Sequence, residues 1–278
     1  MKPLEYSHVF VIESLRAGEQ KTGTSLYNDI IVRRMQQRGL DGQYNLFSVS
    51  TKIEFFQALE AIRQKVIFEL ANPVIHFELH GDENGLQTNN GDDISWDELQ
   101  FSLLQINAIS GNNVLISMAT CKGAYIFKSI NPSAWTPFWG CVGPFEVVQG
   151  DEILENYTAF YNEFLQSDDL NAAEAALRAA NLNGQFKFRF NNTEWVFQTA
   201  YKNYEIVYFT PDILDERVEA AFQQCRPQVQ FETWSDEMIR NYTRHLIVDQ
   251  NAFFRKQIMR KFFLLEKFPE HAQYYNLD

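Results

Sequence analysis

Five short apolar runs, each separated from the next by a stretch with helical periodicity or turn signals, constrain this chain more than any other feature. They are HVFVIESL (8–15), YNLFSVS (44–50), PVIHFELHG (73–81), NNVLISMATC (112–121) and TPFWGCVGP (136–144). The runs are mostly continuous rather than alternating, the mark of strands buried on both faces. Between them, Leu26, Ile30 and Met35 share one face of a helix that stops at Gly39. Phe55, Leu59, Ile62 and Val66 recur at spacings of three and four. Ser95 with Glu98 three residues on forms a capping box ahead of the helix WDELQFSLLQINAI. The alternation predicts an α/β fold, with a mostly parallel central sheet and helices on both faces.

GDENGLQTNNGDDIS carries turn dipeptides at Asn84-Gly85 and Asn90-Gly91, so it reads as a small hairpin excursion. KGAYIFKSIN reads as a short helix, as do 151–166 and 170–181. FKFRFNNTEWVFQTA reads as a hairpin about Asn191-Asn192, and residues from 211 onward as mainly helical. The alternation stops near 184–210. The expected organisation is a core over 1–200 with a mainly helical C-terminal extension over 201–278 packed on it.

Hydrophobic residues make up 45% of the chain and aromatics 15%, which excludes a disordered polymer. Lys and Arg number 24 against 36 Asp and Glu, a net charge of −12. That balance argues against nucleic acid or an anionic membrane as partner, since both demand clustered cations. The basic cluster Arg255, Lys256, Arg260 and Lys261 is interleaved with Phe253, Phe254, Phe262 and Phe263. It reads as a solvated helix face with most of its rings in the core. Three cysteines, at 121, 141 and 225, show no CxxC spacing and make no disulfide framework, which points to a reducing compartment. MKPLEYSHVFVIESL has no signal-peptide pattern and no apolar run approaches membrane-spanning length, so the expected location is cytoplasmic.

In an open α/β sheet, ligands bind beyond the carboxyl ends of the strands. Three such ends carry polar or reactive groups: Glu13 to Arg16, His80-Gly81, and Thr120-Cys121-Lys122-Gly123. Adjacent parallel strands lie about 4.8 Å apart, which brings a histidine and a cysteine at matching tips within reach of each other. Cys121 also opens the next helix, where unpaired amides and the helix dipole favour a thiolate. The N–H groups of Cys121 and Gly81 are placed to share one oxyanion, and Gly81 has no side chain to obstruct a carbonyl. Thiolate, imidazole and oxyanion site are the requirements of acyl transfer by a Cys/His dyad. His76, inside the third run, reads as a satisfied core histidine, and Cys141 and Cys225 as inert packing. No metal or cofactor site is read. His76 and His80 do not aim at one ion from a strand, and Asp82, Glu83, Asp92 and Asp93 read as solvated turns.

HFELHG followed after one helix by ISMATCKGAY resembles the caspase-like (clan CD) cysteine peptidases, in which an apolar strand ends in His-Gly and the next in Cys, a residue and Gly. Thr120-Cys121-Lys122-Gly123 is similar to the caspase Ala-Cys-Arg-Gly, with Lys for Arg. PFEVVQGDEILENYTAFYNEFL resembles the corresponding stretch of the CHAT peptidases, bacterial relatives of caspases and separases. The likeness covers roughly residues 8–180. It implies a caspase-like fold and endopeptidase activity on a dedicated protein substrate, with nucleophile Cys121 and general acid/base His80. An activating protein partner, and a role in bacterial defence or regulated cell death, are further implications. Ala119 replaces the glutamine that walls the caspase specificity pocket. Arg16 stands where caspases place a pocket arginine, suiting an acidic substrate residue. Glu146 and Asp151 suit a basic one, as in separase-like enzymes. FKSINPSAWTPF leaves no room for a cleavable linker, so the expected form is an uncleaved single chain.

Two other readings stand beside this one. Gly18-Glu-Gln-Lys-Thr-Gly23-Thr24-Ser25 nearly matches the phosphate-binding loop between a strand and a helix, but Thr24 takes the place of the lysine. A non-catalytic interaction module with a peptidase fold is the third.

Overall fold

The computed structural model describes residues 2–180 and 187–276. The chain divides into two compact units, the first Lys2–Asn131 with Trp135–Thr193 and the second Pro132–Ala134 with the chain from Glu194 onward.

The first unit is built on a sheet whose parallel strands are β1 (His8–Ser14), β2 (Tyr44–Ser48), β3 (Pro73–Gly81), β6 (Leu115–Ala119) and β7 (Gly140–Pro144). In space they run β2-β1-β3-β6-β7, and β8 (Phe188–Asn192) closes the far edge antiparallel to β7. Two three-residue strands, β4 (Gly85–Gln87) and β5 (Asp93–Ser95), form the expected hairpin, with β4 paired to the end of β3. The fold is therefore α/β with a mostly parallel central sheet.

One face is covered by α1 (Thr22–Leu26), a wide turn at Tyr27–Ile31, α2 (Val32–Gln37), α5 (Gly150–Ser167) and α6 (Leu170–Ala179). Leu26, Ile31, Tyr157, Phe160, Tyr161 and Leu177 join Val9, Val11, Val74 and Leu115 in one core cluster. On the other face lie α3 (Lys52–Glu69), whose Phe55 ring meets Phe77 at 5.9 Å, and its neighbour α4 (Trp96–Asn107). Both helices begin with a capping box, Thr51/Glu54 and Ser95/Glu98, which satisfies the first free amides.

The short helix expected after Cys121 is present, as a 3-10 helix over Gly123–Ser129. Two other local expectations are corrected. TEWVFQTA does not return as a hairpin arm. β8 ends at Asn192 and α7 (Thr193–Tyr208) follows at once, because Phe197, Ala200, Tyr201 and Tyr204 recur at helical spacing. Residue 181 and Phe186, which the helix and hairpin expectations included, lie outside the described residues. Second, only two of the four rings interleaved with the basic cluster are in the core: Phe253 and Phe254 are exposed, while Phe262 and Phe263 are buried.

The second unit holds most of α7, α8 (Pro211–Cys225) and α9 (Asp236–Phe262). Arg240 of α9 lies 3.8 Å over the Phe222 ring and bonds Glu219 at 2.8 Å, fixing α9 against α8. Phe197, Phe262, Phe263 and Tyr275 form an aromatic cluster beside them. No helix among the described residues is long and apolar enough to cross a membrane.

Candidate active site

β3 and β6 are in parallel register, with His76 opposite Ser117 and Glu78 opposite Ala119. Two residues further on, the same register sets His80 opposite Cys121. Strand alternation puts both on the α1/α5 face of the sheet. The ladder itself stops at Ala119, and β3 continues against β4, His80 opposite Gln87 and Gly81 opposite Leu86. The two tips nevertheless stay in contact. A methyl group placed on Gly81 would lie 2.4 Å from Thr120 Oγ1 and 3.2 Å from the Cys121 carbonyl. Glycine is required at position 81 for close approach, not for an unusual backbone angle.

Cys121 is held from the other side. Its sulfur lies 3.5 Å from both the carbonyl and the amide nitrogen of Val148. Lys122 adopts a left-handed conformation, φ 56°, and donates its amide to the Glu146 carbonyl at 3.0 Å. Lys122 Nζ reaches back over the tip to Glu83 at 2.6 Å, tying the cysteine loop to the β3–β4 turn. Among the described residues, the Cys121 amide donates to no acceptor. Cys121 is a partly exposed residue. Cys141, by contrast, is wholly buried, and burial pushes its thiol far up, so it stays protonated and inert.

His80 makes no hydrogen bond to Cys121 among the described residues. Its Nε2 lies 3.0 Å from both oxygens of Glu19. Glu19 sits in the loop after β1, which closes on itself: the Arg16 amide donates to Glu19 at 2.7 Å, and the Glu19 amide returns to the Arg16 carbonyl. Burial pushes the Glu19 carboxyl up, but the Arg16 amide, the His80 ring and the Arg16 charge outweigh it and hold the group below its ordinary value. Glu19 is thus ionised at neutral pH, which makes His80 Nε2 the protonated donor and leaves Nδ1 for other work. Arg16 lies at the same rim, its guanidinium donating to Gln87 Oε1 at 2.9 Å. A cavity of about 300 Å³ opens beside His80 and Gly81, bordered by Asp82, Asn84, Gln87 and Asp93.

The floor beneath is a buried polar chain. Tyr161 and Ser117 hydroxyls meet at 2.6 Å, Ser117 meets His76 Nδ1 at 2.8 Å, His76 Nε2 meets Glu78 at 3.0 Å, and Thr22 donates to Glu78 at 2.6 Å. His76 is a core histidine, fully satisfied. Thr24 donates both amide and hydroxyl to Glu13 at 2.9 Å. Gly23 fits between the carboxylates, since a methyl there would lie 3.0 Å from Glu13 Oε1 and from Glu78 Cβ. The start of the near-match phosphate loop helix is therefore occupied by the protein's own acids, not open to a phosphate.

Of the residues read from the sequence, Gly81 approaches Cys121, His80 stands beside Gly81 at the same strand tip, Arg16 meets Gln87 at the rim, and Glu146 accepts from the Lys122 amide through its backbone. Ala119 is buried in the core below the cysteine and offers floor rather than pocket wall. Asp151 is exposed in the first turn of α5, bonded to the Glu152 amide, with no contact to the pair among the described residues. Sequence reasoning missed Glu19 and Gln87 and gave Thr120 no role of its own. Glu19 lies inside the apparent phosphate loop, and nothing in its spacing pairs it with a residue 61 positions away. Among the described residues, no cluster of three or more His, Cys, Asp or Glu is arranged to hold a metal ion.

No protein-family model matches the chain, and no curated protein matches it. Among solved structures it is similar to a secreted C11 cysteine protease from Bacteroides thetaiotaomicron, determined in complex with an irreversible peptide inhibitor. Identity is 10%, the alignment spans 73% of this chain and 71% of that one, and the TM-score is 0.46. The roles assigned below rest on this chain's own geometry.

Proposed function

We propose that the chain is a cysteine endopeptidase of the caspase-like type, acting on a protein substrate. The observation that supports this reading is the close approach of Gly81 to Thr120 and Cys121, which joins the strand tip carrying His80 to the one carrying the partly exposed Cys121.

In the proposed reaction, the Cys121 thiol gives its proton to His80 Nδ1 as Sγ bonds to the scissile carbonyl carbon. The oxyanion accepts from the Cys121 amide, which has no other acceptor, and from Gly81. The C–N bond then breaks as His80 passes its Nδ1 proton to the leaving amine. Water attacks the thioester, His80 takes its proton, and the thiol is released. Glu19 holds the ring by Nε2 throughout and stabilises the imidazolium. Arg16 is proposed to meet a carboxylate or carbonyl of the substrate, with Glu146 on the loop before α5 and Asp151 in that helix's first turn.

The test is cleavage of a mixed protein digest or candidate partners, read as new N-termini by mass spectrometry. Wild type should cut, and Cys121→Ala and His80→Ala should not, with their melting curves unchanged. Equal cleavage by Cys121→Ala overturns the mechanism. Retained partner binding with no cleavage by wild type favours the interaction-module reading.

A further inference from the structure

Two helical stripes face one another in the C-terminal unit without closing together. On α7 the stripe is Phe197, Ala200, Tyr201 and Tyr204; on α9 it is Asn251, Phe254, Arg255 and Ile258. Each follows the i, i+3, i+4, i+7 spacing of one helix face. Both line a cavity of about 310 Å³, the size of a small-molecule site. Its base is the ring of Phe197, packed 5.4 Å from Phe262. Its lips, Tyr204 and Phe254, stand 41% and 57% exposed, an unusual position for rings with a core beside them.

The lining is aromatic with one cation and no carboxylate. Arg255 lies 4.9 Å over the Tyr201 ring and donates one bond, to Gln198 at 3.2 Å. No ion pair of Arg255 is present among the described residues, in a chain with 36 acids. Its remaining N–H groups suit a planar, two-oxygen acceptor. The Tyr201 hydroxyl is buried beside Asn251 without meeting hydrogen-bond geometry there, a second polar group short of a partner.

From this arrangement we infer that the α7–α9 groove binds a small aromatic carboxylate, its ring between Phe197, Tyr204 and Phe254 and its carboxylate on Arg255. The site is independent of Cys121 and of the proposed peptidase activity.

The probe is indole-3-acetate, titrated into the full chain and followed by calorimetry and by NMR shifts of Arg255 and the aromatic rings. Saturable one-to-one binding is expected. Indole-3-acetamide, which keeps the ring and loses the charge, should bind about ten-fold more weakly or less, as should Arg255→Gln with the acetate, that being the order of a charge-assisted pair. Ala200→Phe, which fills the groove, should abolish binding while leaving the melting curve and Cys121 alkylation unchanged. No saturable binding at millimolar probe overturns the inference. So does equal affinity for acid and amide, or undiminished binding by Arg255→Gln.

Discussion

Gly81→Ala tests the closeness of the two strand tips more sharply than any change to the reactive groups. The added methyl would sit 2.4 Å from Thr120 Oγ1, 3.0 Å from the Gly85 carbonyl and 3.2 Å from the Cys121 carbonyl. The backbone oxygens need give only a few tenths of an ångström. The hydroxyl must give nearly a full ångström. Overpacking of this kind costs about 1–3 kcal/mol, and an overlap this deep places it toward the upper end. For a chain of this size that lowers Tm by roughly 4–10 °C. Thr120→Ala removes the obstructing hydroxyl, which already lacks a hydrogen-bond partner in its buried position. The double variant should therefore recover at least half of the lost stability, a coupling of about 1 kcal/mol or more in a double-mutant cycle. Thermal melts of the four proteins measure it, and alkylation of Cys121 by iodoacetamide should slow in the single variant and recover in the double. A wild-type Tm for Gly81→Ala, or strictly additive effects, would refute the reasoning that sets His80 and Cys121 side by side.

Glu19→Gln should slow the proposed peptidase by about 10-fold or more while costing only about 0.2–1 kcal/mol of stability, because the Glu19–His80 pair is roughly one-third exposed on both sides. The sign with pH follows from the lowered Glu19 carboxyl: its contribution is complete above the ordinary carboxylate value of 4.5 and is lost as pH falls below it, so wild-type and Glu19→Gln melts should differ near pH 7 and converge near pH 3. His76→Ala removes the centre of a buried chain and strands Glu78 and Ser117; a loss of about 3–5 kcal/mol is expected by chemical denaturation. In native protein, iodoacetamide should modify Cys121 and Cys225 and spare Cys141, read by peptide mass mapping, since burial keeps the Cys141 thiol protonated.

The parallel sheet was legible because its strands are buried on both faces: β1, β3 and β6 are runs that no amphipathic helix explains. His80, Gly81 and Cys121 were legible for the same reason, as polar residues ending apolar runs. Glu19 was not, because its partnership is set by how the β1–α1 loop folds over the sheet, a contact of long sequence separation with no period. The near-match phosphate loop misled in an instructive way. Its glycine at 23 is there to let the helix start settle on two buried acids, Glu13 and Glu78, a need that produces a similar pattern from different chemistry. The hairpin read at 186–200 failed because alternation in the first half was extended into TEWVFQTA, where the period had already changed to that of a helix. Arg255 and its rings were visible in the sequence as an interleaved cluster, but which rings are covered depends on the facing stripe of α7.

The Lys122–Glu83 tether also means that Cys121 and His80 do not sit on two separately mobile arms. The β3–β4 turn and the cysteine loop share one anchorage at Gly81, so neither can swing out alone without tearing the other's footing. Under the proposed function, a polypeptide entering this crevice would meet a ledge set by both tips together. Whatever modulates its access has to act on the surrounding loops rather than by prising the two tips apart.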